Sequence, residues 1–260
     1  MCLAAAPAGA QPSGPGEDFE HTDLVGQDPI ETPPAKVSVE DGRIVEHVTS
    51  SAGDDDVFSD VVLVGNDRAF WCSGVLVDAR HVLTAAHCAA ATRVGFGNDA
   101  QGAQHVRVAG THVHPRLDVA VLELGARADI HAHARRSSAD TTPPTGTIRV
   151  LGFGVRDPLR LTGFGTKRQL DLAIDGWGCT RARVAALGCH ADDELIMRGG
   201  VGNDTCLGDS GGPVFERVDD GWRLLAITSR GLRPRKVVCG EGGIYVRVDR
   251  ISTWLESILK

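Results

Sequence analysis

Aromatic side chains are scarce: seven Phe, four Trp and one Tyr make up 5% of 260 residues. That shortage alone excludes nothing, but three other absences do. No apolar run approaches the ~20 residues that a membrane-spanning helix needs, so none is expected. The seven cysteines contain no Cys-x-x-Cys pair, so the usual spacing of a zinc cluster is missing and neither metal nor cofactor is expected. Positive charge is not in surplus either. Lys and Arg total 27 against 34 Asp and Glu, a net charge of -7, which is the wrong sign for a general nucleic-acid surface. No internal repeat is evident.

What the chain has is 42% hydrophobic residues and 32 glycines, in a length that holds one large core or two small ones. Short apolar runs, such as Val61-Val62-Leu63-Val64 and Gly74-Val75-Leu76-Val77, alternate with Gly- and Asp-rich turns. That rhythm predicts many short antiparallel strands and a barrel architecture. Residues 1–43 read as a linker and propeptide, poor in periodicity and rich in Pro, Gly and Ala. Asp140-Thr141-Thr142-Pro143-Pro144-Thr145-Gly146 reads as a crossing between two halves, 44–140 and 141–260. Only the end changes period: Ile251, Trp254, Leu255, Ile258 and Leu259 predict an amphipathic helix starting near Asp249.

The most informative stretch is Asp204-Thr205-Cys206-Leu207-Gly208-Asp209-Ser210-Gly211-Gly212-Pro213. A serine hydroxyl is a poor nucleophile and needs a base, backbone N–H donors for an oxyanion, and a sharp exposed turn. Glycines 208, 211 and 212 supply the turn. A base is available in Thr84-Ala85-Ala86-His87-Cys88, and an orienting carboxylate in Leu117-Asp118-Val119-Ala120-Val121-Leu122, where the apolar run predicts a buried strand. Read singly, each is an ordinary residue: a surface His, a strand-capping Asp, a Ser in a glycine turn. Three motifs with matching flanks, in the order His, Asp, Ser, are not ordinary.

These segments resemble the catalytic motifs of the trypsin/chymotrypsin family, over residues 44–260. The resemblance implies an all-β fold of two six-stranded antiparallel barrels with a C-terminal helix, the triad lying between them. Ser210 would attack the peptide carbonyl, His87 would move the proton, and Asp118 would hold the imidazole. The N–H groups of Gly208 and Ser210 would form the oxyanion hole. Asp204, six residues before Ser210, matches the base of the specificity pocket, with Ser229, Gly231 and Gly243 on its walls. A buried carboxylate there favours protein and peptide substrates with Arg or Lys before the cut.

Gly42-Arg43-Ile44-Val45 resembles the family's activation site, although Glu46 and His47 stand where two glycines are usual. Cleavage after Arg43, by another protease or by the enzyme itself, would free the Ile44 amine to pair with Asp209. The resemblance and proximity pair Cys72 with Cys88, Cys206 with Cys239, and Cys179 with Cys189. Six paired cysteines imply an exported protein.

Cys2 is left over. It matches the first residue of a mature bacterial lipoprotein, acylated and tethered, and equally an incidental cysteine in a propeptide. Arg230 stands where the family usually has a tryptophan, and with Arg233, Arg235 and Lys236 it suggests a basic edge to the pocket. His112 with His114, and His131 with His133, have metal-compatible spacing but lack carboxylate partners. Asp54-Asp55-Asp56 reads as an acidic turn. Two other functions fit less well. A proteolytically silent binding module would have lost a triad member, and a serine esterase of another fold would place Ser before Asp and His.

Overall fold

The computed structural model describes residues 36–40, 43–47, 58–130, 134–136, 142–145, 147–190, 192–200, 202–218, 221–233 and 236–260. Gly42, Cys2, Asp54–Asp56, His131, His133 and Arg235 lie outside that set.

The first half holds β1 (Lys36–Glu40), β2 (Arg43–His47), β3 (Val61–Gly65), β4 (Phe70–Asp78), β5 (His81–Thr84), β6 (Arg93–Phe96), β7 (Gln104–Val113), β8 (Ala120–Leu124) and β9 (Ala128–Asp129). Strands β3-β4-β5-β8-β7-β6 close into a barrel, β6 pairing back onto β3. The continuous apolar runs have a simple cause, because the strands that carry them are buried on both faces. In β3, Val61 and Leu63 face the core shared with the second half, while Val62 and Val64 fill the barrel interior. Side chains alternate across a strand, so a run of four apolar residues serves two cores at once. Strand β5 repeats the device, with Leu83 on the shared core and Val82 inside the barrel.

The second half holds β10 (Ala134–Arg136), β11 (Ile148–Gly152), β12 (Arg168–Asp171), β13 (Ile174–Trp177), β14 (Glu194–Met197), β15 (Pro213–Val218), β16 (Gly221–Gly231) and β17 (Gly243–Arg247). Its sheet runs β12-β11-β15-β16-β17-β14-β13, and β10 adds to β16 in parallel. The all-β architecture is as expected, but the second barrel is not laced shut. Its edge strands β12 and β13 are joined in sequence by only Leu172 and Ala173. The sheet therefore curls until its ends meet covalently, and no β12–β13 ladder forms among the described residues.

The terminal helix α2 (Ser252–Ile258) follows a 3-10 turn at Asp249–Ile251. Ile251 and Leu255 are buried, and Trp254, Ile258 and Leu259 pack against the shared core, as their spacing predicts. A second helix, α1 (Arg181–Leu187), was not expected. Thr180 caps its start by accepting the Arg183 N–H, and Gly188 ends it at φ 74°. No helix among the described residues is long and apolar enough to cross a membrane.

Candidate active site

His87 sits in a 3-10 turn, Ala86–Cys88, directly after β5. The Cys72–Cys88 disulfide ties that turn to β4. Asp118 lies on a bend two residues ahead of β8, not inside a buried strand as its apolar neighbours suggested, and its side chain is 23% exposed. The bend is held by His114, whose Nδ1 accepts the N–H groups of Leu117 at 3.0 Å and Arg116 at 3.3 Å. An acceptor Nδ1 requires the neutral ring with its proton on Nε2. Burial, then the Arg116 charge, lowers the His114 pKa from its usual value and favours that form. His114, whose spacing from His112 is compatible with a metal, thus has a structural role.

The two meet closely. Asp118 Oδ2 accepts from His87 Nδ1 at 2.9 Å, and Oδ1 accepts the His87 main-chain N–H at 3.0 Å. Ser229, expected on the pocket wall, also donates its hydroxyl to Asp118 Oδ2 at 2.6 Å. Burial pushes the Asp118 carboxyl upward, but the His87 and Ser229 hydrogen bonds and the His87 charge outweigh it and hold the pKa at about 2. Asp118 is therefore a fixed anion that orients the imidazole.

Ser210 occupies the turn ahead of β15. Its carbonyl accepts the Ser73 N–H at 2.8 Å, and the Gly211 N–H donates to Thr228 O at 2.7 Å. Gly211 has φ 83°, and a Cβ there would lie 2.1 Å from Thr84 Oγ1, so the Ser210 turn packs on the end of β5 only because the residue is glycine. Ser73, which no motif singled out, bridges the two halves. Its Oγ donates to Gly208 O at 2.9 Å and accepts the Phe153 N–H at 3.0 Å. Among the described residues, the N–H groups of Gly208 and Ser210 make no hydrogen bond within the protein. Gly208 has φ 100°, with the Phe164 ring 2.5 Å from where a Cβ would stand. No hydrogen bond joins His87 to Ser210 Oγ, although both line one cleft of about 440 Å³. Such bonds are commonly long in unliganded sites and tighten with substrate.

Asp204, 5% exposed, lies on the cleft wall with Thr228, Ser229, Arg230 and Gly231. Its carboxylate accepts N–H groups from Thr205 at 2.8 Å, Gly240 at 2.7 Å and Gly242 at 2.9 Å. Burial raises its pKa, and those amides work against the rise. Gly242 borders the cleft, whereas Gly243 is packed behind it, where a Cβ would stand 2.9 Å from the Tyr245 hydroxyl. The Cys206–Cys239 disulfide joins the two loops that flank Asp204, and Cys179–Cys189 encloses α1.

Arg230 does not form a basic edge. Its guanidinium is turned onto Glu194, a fully buried carboxylate. At the expected activation site, exposed Arg43 lies 3.6 Å from Asp129, while the Ile44 backbone pairs with Ala128. Asp209 is 7% exposed and accepts the N–H groups of Gly154 and Cys206, each at 2.8 Å.

A model of the trypsin family matches residues 45–255. The chain belongs to the trypsin family. It is 29% identical over 230 residues to mouse kallikrein 1-related peptidase b1, covering 76% of this chain and 84% of that protein. It is likewise 29% identical over 203 residues to Drosophila melanogaster trypsin iota, covering 71% and 77% of the two chains. Among solved structures, neuropsin, a serine protease expressed in the limbic system of mouse brain, aligns with a TM-score of 0.65 at 25% identity. That alignment covers 78% of this chain and 95% of neuropsin. This member of the trypsin family is accordingly a trypsin-like serine endopeptidase with protein substrates.

Proposed function

We propose that this protease cleaves after Arg or Lys, using Ser210 as nucleophile, His87 as general base and acid, and Asp118 as the orienting anion. The observation that carries the reading is the cleft itself. One end holds Ser210 and the Asp118-anchored His87, and Asp204 stands buried in its wall. His87 takes the Ser210 proton as Oγ attacks the carbonyl, then returns it to the leaving amine while an acyl-enzyme remains. Water reverses the sequence. The oxyanion would be received by the free N–H groups of Gly208 and Ser210, each such donor contributing about 3 kcal/mol in the transition state. A substrate guanidinium or ammonium would pair with the charge of Asp204, which backbone amides hold in place.

The chain is further proposed to be exported and made as a zymogen. Three disulfides support an oxidising compartment. The exposure of Arg43 supports a cleavage site that an external protease, or the enzyme acting on its own kind, can reach. The new Ile44 amine would then pair with Asp209, whose loop carries both oxyanion donors.

The test is hydrolysis of matched Arg and Phe amide substrates, before and after brief trypsin treatment, with Ser210→Ala alongside. Arg-selective turnover that appears with an Ile44 terminus supports the whole reading. Phe cleavage would refute the role given to Asp204. Silence despite a confirmed Ile44 terminus would point instead to a binding module.

A further inference from the structure

Ser229 and Arg230 are neighbours on β16, and regular strand geometry would send their side chains to opposite faces. The register of β16 against β17 shifts between Thr228 and Arg230, so Ser229 sits in a bulge. Bulges re-aim side chains, and here Arg230 Nη1 reaches Ser229 Oγ at 2.9 Å. The guanidinium also grips Glu194 through both arms, Nη1 to Oε1 at 2.8 Å and Nη2 to Oε2 at 2.9 Å. Nη2 further donates to Gly188 O at 2.9 Å, the carbonyl that ends α1. Four of the five donors of Arg230 are therefore turned into the protein. Glu194 receives a third N–H, from His190 at 2.6 Å.

The direction of these bonds is fixed by chemistry. Arg230 can only donate, so Ser229 Oγ must accept from it. The single Ser229 proton is then left for Asp118 Oδ2, 2.6 Å away, and an ionised Asp118 can only accept. An unbroken path runs from buried Glu194 through Arg230 and Ser229 to Asp118 and His87. The charged groups along it are Glu194 on β14, Arg230 on β16, Asp118 ahead of β8 and His87 after β5. Farther out stands the Arg116–Asp193 pair, 3.8 Å apart.

We propose that Arg230, gripped by buried Glu194, is a positioning residue that locks the Ser229 hydroxyl as a donor to Asp118 and so fixes the Asp118–His87 pair. The inference rests on the triad reading above. Without Arg230 the Ser229 hydroxyl is free to rotate away from Asp118. Arg230 is thereby withdrawn from substrate: it borders the cleft with its charge already matched.

The test uses the full chain, cleaved after Arg43, and an Arg amide substrate. Arg230→Met alone would strand the Glu194 charge and endanger folding. The informative protein is the neutral pair Glu194→Gln with Arg230→Gln, made both in the native background and with Ser229→Ala. Loss of one charge-assisted hydrogen bond at the triad predicts a kcat about tenfold lower. KM should stay within about twofold of the native value, because no substrate contact is removed. With Ser229→Ala already present, the same pair should cost less than about twofold, since the route is broken.

A raised KM at unchanged kcat would overturn the proposal, as would a tenfold loss that persists beside Ser229→Ala, or no change at all. Should the neutral pair fail to melt cooperatively, Arg230→Lys replaces it under the same criteria. It keeps a cation against Glu194 but cannot serve both Glu194 and Ser229 as a fork. A fluorophosphonate that labels Ser210 separates the two levels. Labelling with unchanged kcat in the variant refutes this proposal alone, and no labelling of the cleaved native enzyme refutes the triad reading with it.

Discussion

Asp209 offers a prediction that the structure makes quantitative. Burial raises its pKa to about 6, although the N–H groups of Cys206 and Gly154 and the Arg168 charge act to lower it, and Asp204 adds to the rise. In the unfolded chain the ordinary value of 3.8 applies. Between those values the folded protein keeps a proton that the unfolded chain has released. Stability must therefore fall as pH rises through that window. The span corresponds to about 3 kcal/mol lost by pH 7 from this group alone. For a domain of this size each kcal/mol moves Tm by about 2–4 °C, so the expected contribution is roughly 6–12 °C.

The experiment compares uncut Ser210→Ala protein with and without Asp209→Asn, melting both from pH 4 to pH 7. An asparagine amide turns a donor toward one of the two N–H groups, so the variant carries a constant penalty, but it does not titrate. His114 and Asp118 titrate in both proteins and cancel in the difference. The Tm advantage of Asp209 over asparagine should shrink by the stated span as pH rises, and parallel curves would refute the reasoning. Repeating the pair after cleavage at Arg43 tests activation. An Ile44 amine paired with Asp209 favours the charged carboxylate, so the advantage should then stay level or grow with pH.

Three further outcomes follow from the site. Gly208→Ala forces a Cβ toward Phe164 at φ 100°, and loss of a well-placed oxyanion donor should lower kcat about 10²-fold or more, measured by single-turnover acylation. Asp204→Asn removes the anion while turning an amide donor toward the N–H groups of Thr205, Gly240 or Gly242. The Arg-over-Phe ratio of kcat/KM should fall about 10²-fold or more, with Tm lowered as well. His114→Ala leaves the Leu117 and Arg116 amides without their acceptor, which should cost about 1–3 kcal/mol by denaturant melts. Folding favours the neutral His114 ring, so its contribution is complete above its unfolded value of 6.5 and declines as pH falls below it. The alanine variant should lose part of that decline.

The parts of the site that were legible in the sequence are those where chemistry dictates local residue type. Gly208 and Gly211 must be glycine because φ is positive and a neighbour occupies the Cβ position, and that requirement is written beside Ser210. The runs in β3 and β4 were legible as strands because both faces are buried. The same signal misled at Asp118: an apolar neighbourhood looks alike in a strand and in a bend leading into one, and here the His114 ring nitrogen and the Leu117 carbonyl, which accepts the Val119 N–H, hold a bend. Helix α1 escaped notice because none of its residues is buried, which leaves only Thr180 and Gly188 as markers.

Arg230 shows the harder case. Its sequence context, with Arg233 and Lys236 close by, suggested a solvated basic edge. What decides its role is a carboxylate 36 positions away on another strand, and a one-residue bulge that turns Ser229 toward the same side. Neither leaves a local mark. A long-range ion pair can be seen only once strand register is known, because a one-residue shift reverses which face each side chain occupies. The catalytic motifs could be read because each is complete within about ten residues. The bonds that orient Asp118 could not, because Glu194, Arg230 and Ser229 act as a unit only through the pairing of β14, β17 and β16.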